Sequence, residues 1–156
     1  MQHTAKWPGG SRELAAKGPL VDMRLTLRSG EIASLRSLGV TVPLTLVRML
    51  LDTGARFTLI EERLLRGLGL RPTGRESVVG ISQRTEHYGR YQVQLLLALR
   101  DPSARIVGMH AVRADVLGMP SGALTRDHQG NLGRDFLASC RLDYDGPAGA
   151  FSLTGD

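Results

Sequence analysis

One carboxylate stands out for its place in the chain. Leu50-Leu51 leads straight into Asp52-Thr53-Gly54-Ala55, so an acid closes the apolar, β-branched stretch of residues 40–52 (VTVPLTLVRMLLD). A carboxylate at the end of a buried strand is costly to ionise unless donors surround it, and its pKa climbs where none do. Thr53 places a hydroxyl beside it. Gly54 has no Cβ, so it permits a tight turn and lets a backbone amide approach a carboxylate oxygen. A carboxyl group so placed suits general acid–base chemistry. Asp, Thr and Gly are also common turn formers, and the tripeptide by itself is a weak signal.

The other candidate chemistries lack their patterns. His3, His87, His110 and His128 show neither HExxH nor any paired metal spacing, so no metal site is expected. Ser82 and Ser139 lack the G-x-S-x-G context of a hydrolase nucleophile. No glycine-rich phosphate loop is present, and Gly67-Leu68-Gly69 reads as the end of a helix. The single cysteine, Cys140, follows Phe136-Leu137-Ala138 and reads as a small buried hydrophobe; one thiol makes no internal disulfide.

The elements that must position Asp52 are mostly strands. Val21, Met23, Leu25 and Leu27 alternate with polar residues, which is the period of a half-buried strand. Residues 40–52 read as a second strand, with Pro43 at an edge or bend because it lacks an amide donor. Residues 57–60 form a third. Residues 77–81 and 88–99 make a long hairpin around a polar connection, with Tyr91, Val93, Leu95, Leu97 and Leu99 on one face. Residues 106–112 add a strand, and residues 141–144 and 150–153 a closing hairpin. Brief helices fit residues 13–16, 31–38, 61–66 and 133–140. The expected fold class is mostly β, a closed barrel or sandwich with one or two short helices.

At 156 residues, with 42% hydrophobic and 22% charged residues, the chain has the profile of one globular domain. That excludes a bilobal enzyme and disfavours disorder. Residues 1–18, with Pro8, Gly9, Gly10 and Gly18, read as a flexible arm, leaving residues 19–156 as the domain. The net charge of +5 comes largely from 18 arginines against two lysines. They are scattered and no aromatic residues interleave with them, so a solvated surface is expected rather than a nucleic-acid site. No apolar run approaches the ~20 residues of a membrane helix, and the first twenty residues lack an apolar signal core. A cytoplasmic protein with no membrane partner is the expectation.

Asp52-Thr53-Gly54-Ala55 after two leucines resembles the active-site motif of retropepsin-type aspartic proteases, the retroviral protease family and its bacterial relatives. Leu132-Gly133-Arg134-Asp135, followed by Phe136-Leu137, resembles that family's late Gly-Arg-Asp/Asn motif. Val78-Val79-Gly80-Ile81-Ser82-Gln83 falls where its flap hairpin would lie, and the last strands resemble those of bacterial members. The likeness spans roughly residues 20–154. It implies a retropepsin-like closed barrel with a flap, and an aspartic endopeptidase that needs no cofactor. Two carboxylates would face one water. The chain holds one Asp-Thr-Gly, so the second must come from another copy: a homodimer with the two Asp52 residues on its axis. The resemblance makes Asp52, Thr53 and Gly54 catalytic, with Thr53 bracing the junction. Ala55, Arg56, Gly80, Ile81, Ser82 and Gln83 would bind an extended polypeptide, and Gly133, Arg134 and Asp135 would be structural.

Two positions depart from the family pattern. Arg56 stands where a small polar or acidic residue is usual, so the pairing of an acid there with Arg134 is lost; Glu61, Glu62 or Asp135 would take its place. Asn131 stands where an apolar residue often precedes Leu-Gly-Arg. These departures motivate a competing expectation, a catalytically weak or inactive dimeric peptide-binding module.

Overall fold

Alternation decides the barrel strands. The computed structural model describes residues 3–80, 83–101, 103, 105–124 and 127–155. In β2 (Leu20–Thr26), Val21, Met23 and Leu25 are buried while Asp22 and Arg24 face outward. In β3 (Leu44–Leu51), Val47, Met49 and Leu51 turn inward and Leu44, Leu46 and Arg48 outward. A side chain every second residue on one face is the strand period, so each apolar set lands on one interior. Pro43 lies just ahead of β3, where its missing amide costs no ladder bond, and its carbonyl accepts the Thr26 hydroxyl at 2.8 Å.

The remaining elements are β1 (His3–Pro8), α1 (Ser11–Lys17), α2 (Ser29–Ser37), β4 (Leu59–Glu61), α3 (Glu62–Gly67), β5 (Gly74–Val79), β6 (Thr85–Arg100), β7 (Ile106–Met119), β8 (Gly130–Leu132), α4 (Arg134–Leu137), β9 (Cys140–Asp145) and β10 (Ala150–Gly155). Six strands run β2-β3-β8-β4-β7-β6, and pairing of β6 with β2 closes the barrel; β5 hangs from β6 as an outer strand. Closure leaves no unpaired edge in the ring. A second sheet, β1-β10-β9, adds Phe151 and Leu153 to the same core.

The mostly-β barrel expected from the sequence is borne out. Its details differ in three places. Among the described residues there are four short helices, not one or two, and each begins within about two residues of a place the sequence marked. The stretch read as a flexible arm carries, besides the short helix expected there (α1, whose Leu14 is buried in the core), the strand β1, antiparallel to β10. The strand expected over residues 106–112 runs on to Met119 as β7, because Gly118 continues the ladder against both Gly89 and Ile60.

The arrangement around β8 positions the site. This three-residue strand lies between β3 and β4, parallel to the first and antiparallel to the second. Residues 52–58, which connect β3 to β4, therefore pass over the end of β8. Gly130 lets β8 fit this closely between β3 and β4 because it lacks a side chain: a Cβ there would lie 2.5 Å from Met49 Sδ and 2.6 Å from the Leu59 carbonyl.

Candidate active site

Asp52 follows Leu51 at the point where β3 leaves the ladder. Its backbone N–H donates to the Leu132 carbonyl at 3.0 Å, and its own carbonyl accepts the Ala55 N–H at 3.2 Å, closing a turn. The carboxylate is held at both oxygens. Oδ1 accepts the N–H groups of Gly54 (2.9 Å) and Ala55 (3.2 Å), and Oδ2 accepts Nδ2 of Asn131 at 3.1 Å. A Cβ on Gly54 would lie 3.1 Å from Oδ1, closer than such contacts ordinarily run. Glycine keeps that approach open for the amide. Three N–H donors on one carboxylate offset the cost of holding its charge at the edge of an apolar barrel.

The late motif supports this turn from below. The Gly133 N–H donates to Thr58 Oγ1 at 3.1 Å, and the Arg134 and Asp135 N–H groups donate to the Ala55 and Arg56 carbonyls at 2.9 and 3.2 Å. The Asp135 carboxylate accepts the Thr58 N–H (2.9 Å), the Thr58 hydroxyl (2.8 Å) and the Phe136 N–H (2.8 Å). A Cβ on Gly133 would meet the Phe57 carbonyl group at 2.4 Å, so only glycine lets the two segments pack this closely. Gly133, Arg134 and Asp135 thus meet the Asp52 turn through its backbone.

Arg134 takes none of the acids expected for it. Glu61 is paired with Arg63, Glu62 bonds Arg66 and Tyr91, and Asp135 is engaged by Thr58. The Arg134 guanidinium donates instead to the Thr53 carbonyl, at 3.4 Å. Arg56 is exposed and lies over the Phe57 ring, 4.8 Å from its centroid. This cation–π contact separates the two cations by giving each its own partner. Thr53 is exposed beside Asp52.

At the flap position, β5 and β6 form the expected hairpin, with Val79 opposite Thr85. Its tip is closed internally: the Gly80 N–H donates to Arg84 O at 3.4 Å and the Gln83 N–H to Gly80 O at 2.9 Å. Gln83 has a positive φ of 57°, a turn conformation uncommon outside glycine. Ile81 and Ser82 lie outside the described residues. A cleft of about 720 Å³ opens elsewhere, lined by Arg28, Arg71, Gln92 and Arg113 among others, and shares no residue with the Asp52 turn.

With this geometry in view, comparison with protein families is decisive: a family model described as aspartyl protease matches residues 20–136. The chain belongs to the aspartyl protease family. Its matched span runs from β2 into α4 and so contains the Asp52 turn, the hairpin at the flap position and the late motif. Among solved structures, a retropepsin-like aspartic protease from Rickettsia conorii aligns over 88% of this chain and 93% of its own, with 11% identity and a TM-score of 0.40. No curated protein sequence matches the chain. The resemblance read from the sequence is borne out at the level of the family.

Two partners of this aspartyl protease motif escaped the sequence reading. Asn131 registered only as a departure from an apolar pattern, and Thr58 did not register at all. Nothing in local spacing marks Thr58, because its partner lies 77 residues away.

Proposed function

We propose that the chain is an aspartic endopeptidase that hydrolyses peptide bonds as a homodimer, with one Asp52 from each copy. The observation that carries this reading is the Asp52 carboxylate, fixed by the Gly54 and Ala55 N–H groups at the end of an apolar strand. The family membership of the chain supports the reaction class. Asp-Thr-Gly occurs once in the sequence, which is why a second copy is needed.

In such a pair the two carboxylates sit close enough that both cannot ionise, so they share one proton and titrate as a unit. The ionised member takes a proton from the water as its oxygen attacks the scissile carbonyl carbon. The protonated member hydrogen-bonds the carbonyl oxygen as it gains charge. Collapse of the tetrahedral species breaks the C–N bond and delivers a proton to the leaving amine. Thr53, exposed beside Asp52, would brace the junction of the copies. Gly80, Ile81, Ser82 and Gln83 would form the closing flap, and Ala55 and Arg56 the groove wall against an extended peptide.

The test is cleavage of a denatured polypeptide by purified protein from acid to neutral pH, beside the Asp52→Asn variant, with light scattering for the assembly. Cleavage that is lost in the variant and blocked by a statine-type inhibitor, from a dimeric protein, is the expected result. An intact dimer that cleaves nothing would instead make it a binding module.

A further inference from the structure

Asn131 holds a position in which an amide is expensive. Its Nδ2 donates to Asp52 Oδ2 at 3.1 Å, while its Oδ1 is buried with no hydrogen-bond partner among the described residues. Turning the amide over would set oxygen against oxygen at Asp52, so the orphaned acceptor is the consequence of supplying the donor. A buried acceptor without a partner costs folding free energy, and an apolar side chain of similar size would avoid that cost. Something other than stability therefore accounts for an amide here.

The contact's geometry supplies the reason. Gly54 and Ala55 both bond Oδ1, from amides that follow Asp52 in the same turn. Asn131 holds the other oxygen from a separate strand, so rotation of the group about Cβ–Cγ is restrained at both oxygens. The amide is itself carried on a clamped strand: Asn131 pairs with Leu50 on one side and Leu59 on the other. A donor on a rigid element is preorganised in a way that a loop donor is not.

We infer that Asn131 is a positioning residue, which orients the Asp52 carboxylate through Oδ2. The inference deepens the proposed protease function and rests on it. Each of the two Asp52 groups in a dimer would carry its own Asn131. The other charged groups borne by the surrounding elements are Arg48 on β3, Arg56 on the turn, Glu61 on β4, Arg134 and Asp135 on α4, and the second Asp52; β8 contributes none. None of these changes when Asn131 is replaced.

The experiment compares the full chain with Asn131→Leu and Asn131→Asp. Three readings are taken: thermal unfolding, kcat and KM separately, and the ¹³C carboxyl chemical shift of Asp52 without substrate at one fixed pH. For Asn131→Leu the midpoint of thermal unfolding holds or rises, because the orphaned acceptor is gone. The Asp52 carboxyl resonance moves, and kcat falls roughly tenfold while KM stays within about twofold. Asn131→Asp, which replaces the donor at Oδ2 by an acceptor, also moves the resonance and lowers kcat. An Asp52 resonance unmoved by both substitutions overturns the inference, as does a fall in activity that only follows a loss of folded protein. If the parent chain cleaves nothing, the protease reading fails, yet the Asp52 resonance still decides the contact with Asn131. If Asn131→Leu does not fold, the Asn131→Asp resonance decides it.

Discussion

Thr58 and Asp135 bond to each other twice across 77 residues of chain. The Thr58 N–H and hydroxyl donate to the two oxygens of one carboxylate at 2.9 and 2.8 Å. The same hydroxyl accepts the Gly133 N–H, so a single threonine ties the end of the Asp52 turn to the start of α4. Thr58 is almost fully buried, and its donors have no solvent to fall back on.

Removing Asp135 leaves those donors unmet. The Asp135→Ala variant should lose about 2–3 kcal/mol of stability, and Asp135→Asn, which keeps one acceptor, about half of that. Urea unfolding at neutral pH measures both. Equal midpoints for the parent and Asp135→Ala would show that the bonds contribute little.

Gly133→Ala isolates packing from backbone strain. Gly133 has φ −81°, which any residue adopts, so alanine pays no conformational penalty there. The added methyl lies 2.4 Å from backbone atoms of Phe57, which cannot swing aside as a side chain would. The expected cost is about 1–3 kcal/mol, with the strain delivered to the turn carrying Asp52. Cleavage should fall more than unfolding accounts for, checked by kcat/KM beside denaturant titration.

Arg56 offers a way to change specificity without changing assembly. Its side chain is exposed on the Phe57 ring, and its backbone carbonyl, which accepts the Asp135 N–H, survives substitution. Arg56→Ser should shift stability by no more than about 1 kcal/mol. It should alter the rate for substrates bearing acidic side chains relative to neutral ones and leave the dimer intact. Unaltered peptide preference and rate would remove Arg56 from the groove.

A separate pH effect resides in the Tyr91–Glu62 pair. The Tyr91 hydroxyl donates to Glu62 Oε1 at 2.6 Å, and this bond, with Arg66 assisting, holds the Glu62 carboxyl below its ordinary value of 4.5 against the opposing effect of burial. A carboxyl depressed in the folded chain contributes stability above its unfolded value, and that contribution is lost as pH falls through the folded value. At the alkaline end, burial and the same bond push Tyr91 above 10.0, so its contribution is complete below pH 10.0 and lost above it. The stability difference between the parent and Tyr91→Phe should therefore be widest near neutrality and shrink toward both extremes. Unfolding midpoints from pH 3 to 11 test this, and a difference flat across that range would contradict it.

Much of the barrel was legible because its strands are regular. Tyr91 to Leu99 announce their buried face by alternation alone, since a period of two turns local sequence directly into geometry. Strand β8 was not legible: three residues, Gly130–Leu132, hold too short a pattern to show any period. The same holds for β1, whose place is set by its pairing with β10 some 145 residues on and not by its own composition.

The candidate site divides along the same line. The sequence by itself determined which carboxylate matters, because Asp52 ends an apolar run and is followed by the small residues that turn a chain and expose its amides. It also identified Gly133-Arg134-Asp135 as the second half of the motif. Only the tertiary structure decided what each group touches. Arg134 bonds the Thr53 carbonyl because the nearby acids are already taken, and Asn131 meets Asp52 because β8 lies between β3 and β4. Residue types and local periodicity are written along the chain, whereas partners brought together from 75 or more residues apart depend on how the whole barrel closes.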